Sequence, residues 1–295
     1  YPKMKVLAIL FLLVCSCYAT TPTPLVIWHG MGDSCCNPLS MGSIIRLVEG
    51  QIPGIYTLSL KIGDTTTQDI MNGFLKPIPE QITMACEQIK ADPNLANGFN
   101  AMGFSQGGQF LRAVAQQCDG IKMHNLISVG GQHQGVFGFP KCPNDLTFCD
   151  TLRDMLNKYA YNPTIQDHLV QAEYWHDPQH EDVYKSSNIF LPDLNNDVTV
   201  NEVYKQRLMS LNKFVMVKFT SDTMVQPIAS EWFGFYAPGQ AETVQSLQES
   251  DLYKNDQLGL KAMDQNGQLV FLATDGDHLQ FTNEWFITNI IPYLQ

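Results

Sequence analysis

The stretch that most limits what this chain can become is Phe99-Asn-Ala-Met-Gly-Phe-Ser-Gln-Gly-Gly-Gln109. Phe99 to Phe104 reads as a buried strand. Gln106 to Gln117 reads as a helix, with Phe110, Leu111, Val114 and Ala115 on its inner side. Between the two, Gly103-Phe-Ser-Gln-Gly107 puts glycine on both flanks of the point where the chain must reverse from strand to helix, and that turn projects Ser105. Taken alone, the five-residue pattern is common and its plain alternative is a glycine-rich helix start. The strand before it and the helix after it give it weight.

The rest of the chain repeats this alternation. Leu25 to Trp28, Ile55 to Leu60, His124 to Val129, Lys213 to Phe219 and Gly267 to Ala273 read as strands, and Ile78 to Ile89 as a helix with Pro79 in its first turn. Strands separated by helices predict an α/β protein with a mostly parallel central sheet flanked by helices, and a glycine-flanked serine at a strand-to-helix turn makes it an α/β-hydrolase fold. From about 132 to 212 the strand rhythm stops, yet aromatic and aliphatic residues stay frequent, Leu156, Tyr174, Trp175 and Phe190 among them. A bare loop of that length is unusual, so a largely helical cap inserted in one hydrolase domain (20–295) is expected, with a subdomain holding its own core as the alternative.

With 295 residues, 44% hydrophobic and 16% charged, the chain has the makings of a real core. Lys3 and Lys5 precede an apolar run from Val6 to Val14, and small or polar residues surround Ala19. That is the pattern of a signal peptide over 1–19, and the run is too short for a membrane span. Six cysteines lie beyond it, an even number suited to disulfides, and six allow 15 pairings. Neighbouring Cys35 and Cys36 sit closer than an ordinary disulfide prefers. A formal charge of −11 disfavours nucleic acid. At acidic pH much of that charge would be lost, which leaves room for transient contact with a membrane surface. No zinc-type ligand spacing occurs, so neither a metal nor an organic cofactor is expected.

A serine hydroxyl needs a base, an acid to orient that base, and donors for the oxyanion. In this fold the chain order is serine, acid, histidine, which excludes His29. His278, in the loop after the last strand, is the candidate base, and Asp222, after the Lys213–Phe219 strand, the candidate acid. Asp275 and Asp277 are its rivals, too close in sequence to the base to orient it well. The oxyanion donors would be the backbone N–H groups of Gln106 and of Met31, the latter in the glycine loop His29-Gly-Met-Gly32.

Longer stretches carry a more specific likeness. Trp28-His-Gly-Met-Gly-Asp-Ser-Cys-Cys-Asn-Pro38, Met102-Gly-Phe-Ser-Gln-Gly-Gly-Gln109, Tyr174-Trp-His-Asp-Pro178, Glu181-Asp-Val-Tyr184, Phe214-Val-Met-Val-Lys-Phe219 and Ser230-Glu-Trp-Phe-Gly-Phe-Tyr236 resemble the palmitoyl-protein thioesterases. The likeness runs from about Leu25 to the C-terminus. It implies a triad of Ser105, Asp222 and His278, oxyanion donors at Met31 and Gln106, disulfides Cys35–Cys36, Cys86–Cys118 and Cys142–Cys149, and a cap that forms the acyl groove. It further implies S-acylated proteins or peptides as substrates, a long-chain fatty acid as product, and a lysosomal or secreted location. One feature departs from the family: the sole Asn-x-Thr, Asn162-Pro-Thr164, is disabled by its proline, which leaves no intact sequon for an N-glycan tag. The competing expectations are a lipase or carboxylesterase acting on oxygen esters, and a non-catalytic binder on a hydrolase fold.

Overall fold

A computed structural model describes residues 21–138 and 155–295. The proposed signal peptide and the Cys142–Cys149 pair lie outside the described residues.

Six parallel strands form the central sheet: β1 (Leu25–Trp28), β2 (Thr57–Ser59), β3 (Phe99–Phe104), β4 (Met123–Val129), β5 (Lys213–Phe219) and, after a small antiparallel pair β6 (Phe235–Tyr236) and β7 (Val244–Gln245), β8 (Leu269–Thr274). Their order across the sheet is β2-β1-β3-β4-β5-β8. The chain runs outward from β1 to β2 and then returns to place β3 on the other side of β1. At such a switch of direction the loops leaving the two strands diverge and open a crevice at their carboxyl ends. β1 leads into Gly30-Met31 and β3 into Ser105, so the predicted serine and the predicted oxyanion loop share that crevice. All four residues of β1 and all six of β3 are buried, as strands covered on both faces require.

Helices α1 (Met41–Gln51), α2 (Thr66–Leu75), α3 (Ile78–Ala91) and α4 (Gln106–Gln117) connect the first strands. Ile78, Ile82, Ala85 and Ile89 form the buried stripe of α3, the spacing that predicted it. Two apolar cores result. One, with Val26, Trp28, Phe110, Val114 and Phe214, lies on the side covered by α3 and α4. The other, with Leu25, Ile27, Met41, Val48 and Phe286, is closed by α1 and the C-terminal helix Asn283–Asn289. Cys35 is bonded to Cys36, and Cys86 on α3 to Cys118 at the end of α4.

Between β4 and β5 the described residues form short helices, among them Val170–Glu173, Glu181–Ser187, Leu191–Leu194 and Glu202–Met209. Much of this segment packs into the α3–α4 core through Val170, Tyr184, Leu191, Leu194 and Leu208, while Leu156, Ala160, Ala172 and Trp175 make a smaller cluster. Arg112 pins it to α4. This guanidinium is fully buried, donates to the His133 carbonyl at 3.0 Å and to Asn195 Oδ1 at 2.8 Å, and lies over the Phe233 ring. Hydrogen bonds to neutral acceptors let a buried cation be tolerated here. Glu173 makes a second tie, both its oxygens accepting the Ile78 N–H at the start of α3. No helix among the described residues is long and apolar enough to cross a membrane.

Candidate active site

Ser105 stands between β3 and α4 with φ 55° and ψ −126°, a conformation that costs a non-glycine residue about 1–3 kcal/mol. Its surroundings enforce it. A Cβ on Gly103 would collide with the Gly107 carbonyl, and one on Gly107 would lie 2.6 Å from the carbonyl oxygens of Trp28 and His29. Both flanking glycines are therefore there for room: the turn is folded tightly on itself and against the end of β1. The Ser105 N–H is fixed by the Val129 carbonyl at 2.8 Å.

His278 arrives from the loop after β8. Its Nε2 lies 2.8 Å from Ser105 Oγ, and its Nδ1 lies 2.5 Å from Asp222 Oδ2. Asp222 follows β5, and its other oxygen accepts the N–H groups of Met224 and Val225 at 2.6 and 2.8 Å. Burial by itself pushes the Asp222 carboxyl up, but the hydrogen bonds from His278 and Glu231 and the imidazole charge bring it below the usual carboxylate range. Three residues far apart in sequence are thus one continuous line of hydrogen bonds. The rival acids are engaged elsewhere: Asp277 accepts from the N–H and hydroxyl of Thr223, and Asp275 from the Thr220 hydroxyl.

The predicted oxyanion residues flank the serine. Gln106 is the first residue of α4, where no intrahelical carbonyl accepts its N–H, and its side chain is tied to the Gly73 carbonyl at 3.1 Å. Gly30 packs directly on Ser105, since a Cβ there would lie 3.2 Å from the serine Cβ. Met31, next in line, is held from the segment between β4 and β5: Gln171 Nε2 approaches its sulfur at 2.9 Å.

Three further residues of this site are not among those the sequence nominates for a catalytic role. His29 and Asp69 are a fully buried pair behind the glycine loop, His29 Nε2 being 3.3 Å from Asp69 Oδ2. Asp69 accepts the N–H groups of Cys35 and Ile62, which ties the loop after β1 to α2. Glu231 lies beside Asp222 and accepts the Phe219 N–H at 2.8 Å. It stands inside Ser230-Glu-Trp-Phe-Gly-Phe-Tyr236, a run that carries likeness but no period, because its start closes the short 3₁₀ helix Ile228–Trp232 and its end forms β6.

Ser105 opens on two spaces. The larger, about 400 Å³, is walled by Met31, Leu39, Met41, Ile44, Leu279 and Phe281, with His278 at its edge. The smaller, about 70 Å³, runs under Val136, Leu156, Gln171 and Tyr174. Among the described residues, then, α1 and the loop after His278 wall more of the apolar space than the expected cap does.

A sequence profile of the palmitoyl protein thioesterase family matches residues 24–278. A Caenorhabditis elegans protein described as palmitoyl-protein thioesterase 1 is 52% identical, with 92% of each chain covered. A Dictyostelium discoideum palmitoyl-protein thioesterase 3 is 35% identical over 99% of this chain and 100% of its own. A human lysosomal thioesterase is 27% identical over 84% and 78%. Profile and relatives span nearly all of the sheet and the Ser105 turn together, and they make this chain an enzyme that hydrolyses thioesters or esters, a member of the palmitoyl-protein thioesterase family.

Proposed function

We propose that the chain hydrolyses long-chain fatty acyl thioesters on cysteine, in S-palmitoylated proteins or their degraded peptides, through an acyl-enzyme on Ser105. The observation that carries this is the unbroken line Ser105 Oγ, His278, Asp222 at the mouth of an apolar cavity. His278 Nε2 takes the serine proton as Oγ attacks the thioester carbonyl, and Asp222 holds the ring so that Nδ1 carries its proton away from the serine. The Met31 and Gln106 N–H groups receive the oxyanion. A thiolate leaves readily without prior protonation and then takes the proton from His278 Nε2, which restores the imidazole as a base. Water activated by the same nitrogen then frees the fatty acid. None of these steps calls on a metal or an organic cofactor.

The cavity walled by α1 and Phe281 takes the acyl chain, and its size falls within the usual range for ligand pockets. Its rim carries Leu39, 89% exposed, and the partly exposed Met31 and Met224, a surface that suits brief contact with the membrane where acylated proteins reside. Two disulfides suit an oxidising compartment, and the lysosomal description of the human relative supports release there or outside the cell.

Turnover of a palmitoyl-cysteine peptide tests the assignment. Ser105→Ala should lose at least about 10⁴-fold in kcat/KM while remaining folded. A matched palmitoyl oxygen ester should be the slower substrate for the wild type. Preference for that ester would turn the reading into a lipase.

A further inference from the structure

Beside Asp222 lies a second carboxyl group to which the reaction above gives no task. Glu231 is fully buried in the short helix Ile228–Trp232, and its Oε2 accepts the Phe219 N–H where β5 ends. Its Oε1 is buried with no donor to accept from. One oxygen of Glu231, one of Asp222 and a ring nitrogen of His278 all lie within 4.8 Å of one another. Two ionised carboxylates in so dry a space repel strongly, and one of them must hold a proton.

The partners decide which. Asp222 receives three N–H donors, from His278, Met224 and Val225, each of which favours its charged form. Glu231 receives one. The cation facing it, Lys218, sets its ammonium over the Trp232 ring at 3.6 Å and makes no ion pair with it. Burial first, then the hydrogen bond and charge of Asp222, push the Glu231 carboxyl up to about 10. As an acid, Oε1–H becomes the donor for which this orphaned oxygen otherwise has no use.

We propose that Glu231 is an acid held neutral at the pH where the enzyme works, whose Oε1–H donates to Asp222, a positioning residue that holds the aspartate toward His278 and moderates its charge. This rests on the Ser105–His278–Asp222 reading of the site. Without the donor, the full charge of Asp222 would hold a proton on the imidazole more firmly, and His278 would be a working base only at higher pH.

Two variants and two readouts test it. Glu231→Gln keeps both contacts, its carbonyl accepting from Phe219 and its NH₂ donating to Asp222. Glu231→Met keeps the volume and removes both. The rate at which a fluorophosphonate labels Ser105, followed across pH, reads the nucleophile with no assumption about the natural substrate. The Gln variant should label within about threefold of wild type with the same acid limb, because a neutral donor has replaced a neutral donor. The Met variant should label at least about tenfold more slowly, with its acid limb raised by roughly half a unit. The infrared difference between wild type and Glu231→Gln at neutral pH should contain a protonated-carboxyl band. An acid limb that moves down in the Gln variant, or the lack of that band, overturns the proposal, since either means that Glu231 was ionised. If the Met variant does not fold, the Gln profile and the band decide. Failure of the thioesterase reading shows separately, as a wild type that takes the label but leaves palmitoyl thioester intact.

Discussion

Two histidine–aspartate pairs lie near Ser105, His29–Asp69 and His278–Asp222, and their surroundings differ. In both, burial pushes the aspartate up while the histidine and other hydrogen bonds pull it below the ordinary carboxylate range, and each accepts two backbone N–H groups. Asp69 and Asp222 are thus close electrostatic relatives. The difference lies in the far ring nitrogen. His29 is sealed from solvent and its Nδ1 donates to the neighbouring Gly30 carbonyl at 2.8 Å, so the ring is spent on shaping the loop that carries Met31. His278 is 12% exposed and turns its far nitrogen to the Ser105 hydroxyl. A His–Asp pair becomes chemistry only where the second nitrogen meets a proton worth moving.

Substitution should separate the pairs. Asp222→Asn keeps the shape but presents an amide to the ring and favours the wrong tautomer, so kcat should fall by about 10⁴-fold with the unfolding midpoint little changed. Steady-state kinetics beside a melting curve checks both halves. Asp69→Ala should do the reverse. It strands the buried N–H groups of Cys35 and Ile62 and removes the partner of His29, which should cost about 3–5 kcal/mol in urea unfolding, while the folded fraction keeps kcat within about tenfold. Equal kinetic losses in the two variants would erase the distinction.

A carboxyl buried without a histidine goes the opposite way. Burial pushes Glu173 up to about 9, so the fold favours its neutral form against an ordinary value of 4.5. The unfolded chain binds fewer protons between those limits. This stability is therefore complete below the unfolded value and is lost as pH rises toward 9, at up to about 1.4 kcal/mol per pH unit for the group. Glu231 acts in the same direction. Asp69 and Asp222 act oppositely: their contributions are present above the ordinary aspartate value of 3.8 and fade as pH falls through their lower folded values. Together these groups place the stability maximum on the acid side of neutrality. Thermal unfolding between pH 5 and 8 checks this, and Glu173→Gln, which still accepts from Ile78, should flatten the decline.

The two pairs also mark where sequence reasoning reached and where it stopped. Strands β1, β3 and β5 and helix α4 begin and end where the apolar runs and the glycines placed them, because buried strands and glycine turns are local signals. That Ser105, Asp222 and His278 meet in space is legible in chain order, since each comes just after a strand and all parallel strands end at the same edge of the sheet. Helix α2 is not among the elements the apolar periods predict, although its Thr65–Gln68 capping box is legible in the sequence. Asp69 lies within that helix and meets His29 only through the tertiary fold. The segment between β4 and β5 was harder still. Its described helices, of four to eight residues, are too short for a period, and they are set by contacts such as Arg112 with Asn195 that link residues more than 80 apart.

The most direct measurement is mass spectrometry of the protein quenched during turnover of a palmitoyl-cysteine peptide. One palmitoyl group is expected, carried as an oxygen ester on the peptide containing Ser105, and it disappears once the substrate is exhausted. Turnover with no acyl-protein, or with the acyl group on any other residue, would contradict it.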